Sequence, residues 1–94
     1  MKVLCVITET DQGIDLSGVY RNLDSAVEHV KRRFHSESKR YIDAGYKMAE
    51  DVDCTAPSDY GAEIYLNPYD YWIWRIEDAE VRDKCIVSEI GYEM

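Results

Sequence analysis

The sequence lacks any paired cysteine motif. Its three cysteines, Cys5, Cys54 and Cys85, are widely separated, and no C-x-x-C pair occurs. A zinc site needs closely spaced ligand pairs, and both His29 and His35 lie far from every cysteine in the sequence. We therefore expect no metal site and no disulfide framework, and we expect the thiols to pack as small hydrophobic groups.

Long apolar runs and linker-like stretches are also missing. The longest apolar run, Val3 to Ile7, is far shorter than the roughly 20 residues of a membrane helix. The polar segment that follows this run is not the pattern of a signal peptide. Two prolines and five glycines leave little room for a linker, so residues 1–94 are predicted to form one domain. We expect a cytoplasmic protein without membrane contact.

Recognisable catalytic signatures are absent. The sequence contains no nucleophile elbow, zinc-protease motif, P-loop or dinucleotide-binding glycine motif. Carboxylates are so numerous that finding two of them near each other carries no information. The sequence therefore predicts no catalytic residue, no cofactor and no enzymatic activity.

Negative charge is what the chain has in excess. Nineteen acidic and eleven basic residues give a formal net charge of −8. Such a chain repels the phosphate backbone, so we expect no direct binding of nucleic acid. The charge is also uneven, because the window from His29 to Lys47 holds six basic and two acidic residues, whereas the rest holds five basic and seventeen acidic ones.

Apolar alternation predicts a β-hairpin at the start of the chain. Val3 to Ile7 is β-prone and apolar on both faces, as in a central strand. The polar segment Thr8 to Gly13 predicts a turn, and Ile14 to Tyr20 predicts the second strand. Gly18 indicates either a bulge or a close approach of the following helix.

Helical spacing follows the hairpin. Asn22 and Asp24 are both candidate N-caps. We expect one long or kinked helical region from about 24 to 49, and two boundaries are open: an end near Ala44 with Gly45 as the stop, or a break near Ser36 followed by a second helix. The apolar stripe that predicts the helix comprises Leu23, Ala26, Val27, Val30, Phe34 and Tyr41.

The second half of the chain predicts another hairpin. Glu50 to Gly61 has the composition of a loop. Ala62 to Leu66 and Tyr71 to Ile76 are predicted strands, joined by a turn that contains Pro68. A last strand at Cys85 to Ile90 would make a fifth. The order β-β-α-β-β predicts an α+β fold: an antiparallel sheet of four or five strands with one long or broken helix packed on one face.

Two features of this half are candidate binding elements. Carboxylates on a rigid strand and loop can imitate phosphates and pair with a partner's Lys and Arg side chains. Tyrosines and tryptophans are common interface anchors, and they are equally common in cores. The predicted partner-binding residues are Glu50, Asp51, Asp53, Asp59, Tyr60, Tyr69, Tyr71, Trp72, Trp74, Glu77, Asp78, Glu80 and Asp83.

The first part of the chain resembles a class of small uncharacterised proteins of bacteriophages and mobile elements. In those proteins a second strand ends in Gly-Val and an aromatic residue, and a helix with an early Ala follows. The matching residues here are Gly18, Val19, Tyr20 and Ala26. The strand Tyr71 to Ile76, followed by acidic residues, is similar to their closing strand, so the resemblance covers about half of the chain.

This resemblance implies a β-β-α-β-type fold and a phage-like origin, and it supplies no catalytic residue. Small acidic phage proteins are often inhibitors of host nucleases or other defence proteins, of which anti-CRISPR proteins are one kind. The sequence therefore predicts an inhibitor that binds a basic, nucleic-acid-handling host protein by nucleic-acid mimicry. The alternative is an accessory module without catalytic activity that forms a homodimer through its aromatic strand.

Overall fold

The described chain folds as a five-stranded antiparallel sheet with one helix across one face. The computed structural model describes residues 1–80. Its sheet has the strand order β2-β1-β5-β4-β3, so the first two strands meet the last three at the β1–β5 ladder. The predicted α+β fold is thereby confirmed. The elements are β1 (Lys2–Thr10), β2 (Gly13–Tyr20), α1 (Leu23–Asp43), β3 (Asp53–Ser58), β4 (Gly61–Asn67) and β5 (Asp70–Glu80).

The predicted first hairpin is present, with a shorter turn than expected. β1 remains paired with β2 as far as Thr10, so the turn is reduced to residues 11–12. The register shifts between Val6 and Ile7, which is a bulge at the level of Gly18. A Cβ on Gly18 would lie 3.0 Å from His29 Nδ1. Both interpretations of this glycine are therefore correct, since the strand bulges where the helix comes close.

The helix begins and ends at capping residues. Asn22 is the N-cap, and its side-chain oxygen accepts the backbone N–H of Ser25 at 2.8 Å. Asp24 lies inside the first turn, where its negative charge suits the helix dipole. The helix ends at Asp43, and Gly45 follows with a φ of 98°. The boundary near Ala44 is thus confirmed, and the expected extension to residue 49 is wrong.

One predicted loop contains a strand. The segment Glu50 to Gly61 was expected to be irregular, but β3 lies within it and pairs with β4. Asp53 and Pro57 are tolerated in β3 because it is an edge strand, with only one side hydrogen-bonded to the sheet. β3 thus supplies the fifth strand of the described sheet. The predicted strand Cys85 to Ile90 lies outside the described residues.

The core lies between α1 and the sheet. Trp74 is 1% exposed and meets Phe34 of the helix edge-on, with ring centroids 6.3 Å apart. Burial of each large aliphatic or aromatic side chain contributes about 1.5–3 kcal/mol to stability. The largest fully buried side chains are Val6, Val30, Val52, Ile64 and Trp74.

Candidate functional site

The sheet face opposite α1 combines carboxylates with aromatic and aliphatic side chains. Directly opposed residues in antiparallel strands point to the same face. Ile73 of β5 lies opposite both Glu9 of β1 and Glu63 of β4. Two residues after Glu63 on β4, Tyr65 lies opposite both Tyr71 of β5 and Asp53 of β3. We call its part on β3, β4, β5 and the end of β1 the acidic sheet face, and this part comprises Glu9, Asp53, Glu63, Tyr65, Tyr71, Ile73, Arg75 and Glu77. Towards β2 the same face is apolar and includes Ile7, Ile14 and Leu16.

Arg75 is the one cation among these eight residues, and two neighbours already pair with it. Its Nη2 lies 2.6 Å from Glu9 Oε1, and its Nε lies 3.6 Å from Glu77 Oε2. Neither Asp53 nor Glu63 forms an ion pair within residues 1–80, and both are exposed. The acidic sheet face therefore presents two carboxylates that can accept a cation from a partner.

A depression of about 350 Å³ opens on the acidic sheet face beside Gly61. Gly61 has a φ of 131°, and a Cβ there would overlap the carbonyl oxygen of Trp74 and lie 2.8 Å from its carbonyl carbon. Only glycine fits so close to the neighbouring strand. Tyr60, 85% exposed, lines this depression together with Glu63. An aromatic ring and a carboxylate therefore line one small depression, together with Arg75, whose charge is paired with Glu9 and Glu77.

The predicted partner-binding residues form two groups, not one cluster. Tyr71 belongs to one group and Glu77 to the other. These two residues are six positions apart on β5, which corresponds to about 20 Å along the strand. Asp83 lies outside the described residues. The group near the β4–β5 turn comprises Glu50, Asp51, Asp53, Tyr69 and Tyr71. The group at the other end of the sheet comprises Asp59, Tyr60, Glu77, Asp78 and Glu80.

The two tryptophans point away from the acidic sheet face. They share one face of β5, as the strand alternation predicts, and this face is the helix side. Trp72 stacks on Trp74 with ring centroids 5.8 Å apart, and the Arg33 guanidinium lies 5.4 Å from the Trp72 ring on α1's side. The prediction of Trp74 as a partner-binding residue is wrong, because Trp74 is a core residue, whereas Trp72 is half-buried on the helix side.

The aromatic strand β5 occupies the centre of the sheet. Its backbone pairs with β1 on one side and with β4 on the other. Where the aromatic residues lie, at 71–75, both edges of β5 are already paired, so a second copy's strand cannot add there, and association through these residues would have to use a sheet face.

A polar cleft between α1 and the sheet has no counterpart in the sequence analysis. It has two lobes, of about 490 Å³ and about 370 Å³, which share Thr10 and Trp72 as walls. His29 and Arg33 line the larger lobe, which we call the His29 lobe. The other residues that line the cleft from the helix or the sheet include Thr8, Asp15, Ser17, Glu37, Arg40, Tyr41 and Asp70.

His29 is held by a tyrosine. The Tyr20 hydroxyl lies 2.6 Å from His29 Nδ1. Burial, together with the nearby Arg32 and Arg33, lowers the pKa of His29 from its ordinary value. The neutral ring is therefore favoured, and the tautomer sets the direction of the bond: the phenol donates to Nδ1 when the ring proton is on Nε2, and Nδ1–H donates to the phenol oxygen in the other tautomer.

Glu37 is a buried carboxylate in the smaller lobe. It is 5% exposed, and its oxygens lie 2.7 Å from Arg40 Nη1 and 3.5 Å from Arg33 Nη2. One turn later, the Tyr41 hydroxyl donates to Asp70 at the start of β5. Burial and this hydrogen bond raise the pKa of Tyr41. The sequence did carry a signal for Glu37, because this charged residue occupies the apolar stripe of the helix.

Other chemistry is sparse in the described part of the chain. Burial, and secondarily the charge of Glu77, raise the pKa of the Cys5 thiol, which makes it a poor nucleophile. Among residues 1–80, no group of three or more His, Cys, Asp or Glu side chains is arranged to hold a metal ion. The helix of this region is too polar to cross a membrane.

No protein-family model matches the chain, and no curated protein or solved structure matches it either.

Proposed function

We propose that this chain is a cytoplasmic interaction protein that inhibits a basic, nucleic-acid-handling protein by covering its nucleic-acid-binding surface. The acidic sheet face is the binding surface, and it works without catalysis. The observation that carries this proposal is the pair of unpaired, exposed carboxylates, Asp53 and Glu63, beside the Tyr65–Tyr71 pair. The resemblance to phage proteins supports an origin in which such inhibitors are common.

The arrangement has the composition of a protein interface. The rings of Tyr65 and Tyr71 lie 5.9 Å apart, and Ile73 continues the apolar strip along β5. Aromatic side chains surrounded by polar groups are typical of interface centres. Asp53 and Glu63 can each form charge-assisted hydrogen bonds with a lysine or an arginine. The depression beside Gly61 gives one such side chain a place to enter.

The charge distribution favours one orientation of approach. The solvent side of α1 exposes Lys31, Arg32 and Lys39, on the opposite side of the sheet from the acidic sheet face. A basic partner is repelled by the helix side and attracted by the acidic sheet face. A chain of uniform negative charge would show no such preference.

The test is affinity capture from host lysate with matched charge reversals. One variant carries Asp53→Lys and Glu63→Lys; the control carries Glu28→Lys and Asp43→Lys on exposed positions of α1. Both double variants change the net charge equally. We expect the native chain and the control to retain the same nucleic-acid-binding protein, the first variant to lose it, and duplex DNA to displace it.

Equal capture by both variants would remove the acidic sheet face from the mechanism. A partner that binds duplex DNA and the chain at the same time would rule out mimicry. Circular dichroism of each variant establishes that it retains the fold before the captures are compared.

A further inference from the structure

The floor of the His29 lobe is polar where a helix–sheet contact is normally apolar. Helix-facing positions of β1 change from Leu4 and Val6 to Thr8 and Thr10. The bulge in β2 turns Ser17 toward the helix, where its hydroxyl bonds to that of Thr8. Polar groups between packed elements cost free energy, and the open volume above them contributes no packing. A concave site in which a few polar groups converge beside an aromatic wall is where a small ligand can bind.

Hydrogen-bond donors converge on this lobe from both sides. The Arg33 guanidinium and the His29 ring approach from α1, and hydroxyl groups approach from the sheet. With Nδ1 in contact with the Tyr20 hydroxyl, Nε2 is the ring nitrogen of His29 that is left for a ligand, and it donates in the tautomer that an anion favours. Among the residues that line the lobe, Asp15 alone has a side chain that only accepts hydrogen bonds.

We propose that the His29 lobe binds a small hydroxylated phosphomonoester, of the sugar-phosphate class. Arg33 and His29 donate to the phosphate oxygens, and Thr10 adds a hydroxyl donor. Asp15 accepts a hydrogen bond from a hydroxyl group of the ligand. A volume of about 490 Å³ lies within the ordinary range of small-molecule sites.

Arg33 supplies the positive charge of the His29 lobe, and Asp15 supplies a negative one. Arg33 and Arg40 share one carboxylate, that of Glu37, so Arg33 has no carboxylate to itself among these contacts. A phosphate group of the ligand can therefore accept from Arg33, while Asp15 accepts from a hydroxyl group of the ligand.

The aromatic wall distinguishes a sugar phosphate from a nucleotide. A nucleobase would need a free aromatic face on which to stack. Trp72 already has two neighbours at its ring: the Arg33 guanidinium 5.4 Å from the ring centroid and Trp74 stacked at 5.8 Å. These contacts compete with a nucleobase for Trp72, which favours a compact, non-aromatic ligand.

Isothermal titration calorimetry of the full chain tests this site. Ribose 5-phosphate is the probe, titrated to about 10 mM at low salt, with ribose and inorganic phosphate as comparison ligands. We expect ribose 5-phosphate to bind more tightly than inorganic phosphate, and ribose to show no binding. Arg33→Ala should weaken binding by about tenfold or more, because it removes a charge-assisted contact.

Lys31→Ala is the matched control, since it removes the same charge from an exposed position of α1 that does not line the lobe. It should change the affinity by less than about twofold. Thr10→Val keeps the side-chain shape and should weaken binding by about threefold. This second variant keeps the proposal testable if Arg33→Ala perturbs the packing of Trp72.

The absence of binding by the native chain overturns the proposal. Equal losses with Arg33→Ala and Lys31→Ala also overturn it, because they indicate an effect of net charge alone. Inorganic phosphate binding as tightly as the probe refutes the role of Asp15. The lobe and the acidic sheet face lie on opposite sides of the sheet, so either proposal can fail alone.

Discussion

The close contact of β4 with β5 at Gly61 leads to a prediction with a built-in control. Gly61 and Gly13 each follow a tight turn, and their φ values are 131° and 133°. An alanine at either position has the same backbone strain, about 1–3 kcal/mol, because an L side chain rarely adopts this φ. The two sites differ in space: a Cβ at Gly13 meets nothing within 4 Å, whereas one at Gly61 overlaps the Trp74 carbonyl group.

Gly61→Ala must therefore separate β4 from β5. Relief of the overlap disturbs the pairing of Gly61 with Arg75 and the bond from Ile76 N–H to the Tyr60 carbonyl oxygen, now 3.1 Å long. Each lost backbone hydrogen bond contributes about 1 kcal/mol, and loosened packing of Trp74 adds a similar amount. We expect Gly61→Ala to lower the free energy of unfolding by about 3 kcal/mol more than Gly13→Ala does.

Urea denaturation followed by tryptophan fluorescence measures this difference directly. A domain of this size has a total stability of about 5–14 kcal/mol, so Gly13→Ala should remain folded, and Gly61→Ala, which loses about 4–6 kcal/mol in all, should remain folded over all but the lowest part of that range. In thermal unfolding the extra loss should appear as a midpoint about 12–24 °C lower for Gly61→Ala than for Gly13→Ala. If the two variants agree within about 0.5 kcal/mol, the overlap at Trp74 is not a constraint on the fold and the reasoning is refuted.

Three further perturbations test the core, the helix cap and the hydrogen bond of Tyr41. Val30→Ala, at a fully buried position of α1, should reduce the free energy of unfolding by about 2–3 kcal/mol in urea titrations, whereas the half-buried Val27→Ala should cost less. Asn22→Ala should lower stability by about 1 kcal/mol in thermal unfolding, and Asn22→Ser should restore most of it; equal losses would show that the cap contributes nothing. Folding raises the pKa of the Tyr41 phenol. The stability that Tyr41 contributes is therefore complete below the pKa of the unfolded phenol, about 10, and is lost as the pH rises above that value. Above pH about 10, the free energy of unfolding should therefore fall more steeply with pH for the native chain than for Tyr41→Phe. The difference between the two slopes is at most about 1.4 kcal/mol per pH unit. Identical slopes in alkaline urea titrations would contradict this assignment.

Local signals in the sequence were sufficient for most of the fold. The stop at Gly45 and the cap at Asn22 are set by backbone conformations that those residues favour. Both hairpins follow from alternation interrupted by turn residues. β3 was not predicted because Asp53 to Ser58 contains Pro57 and little apolar alternation. Such a segment can still form an edge strand, which needs neither two buried faces nor two hydrogen-bonded edges.

The site was harder to predict than the fold. The alternation of β5 correctly separates Tyr71 and Ile73 from the two tryptophans, but it does not say which face meets the helix. The pairing of Asp53 with Tyr65 depends on β3, which was not predicted. The polar cleft depends on residues of β1, β2 and α1 that meet only after the sheet has formed. Only Glu37, a carboxylate on an apolar stripe, indicated that the helix covers something other than a hydrophobic core.

The β1–β5 ladder has a consequence for how the chain reaches this structure. Lys2 pairs with Glu80 and Thr10 with Trp72, so the ladder joins segments at opposite ends of the described chain. The β1–β2–α1 unit and the β3–β4–β5 unit can each assemble from nearby residues, but α1 packs on strands of both units, so the helix-facing side of β3–β4–β5 is uncovered until the two units join. Until the two units join, β1 and β5 each have an open backbone edge flanked by apolar side chains. Newly made molecules are therefore most prone to aggregate before the two units join. Conditions that slow this joining, such as crowded expression at high temperature, should reduce the soluble yield. This reduction should be larger than the loss of native stability under the same conditions would suggest.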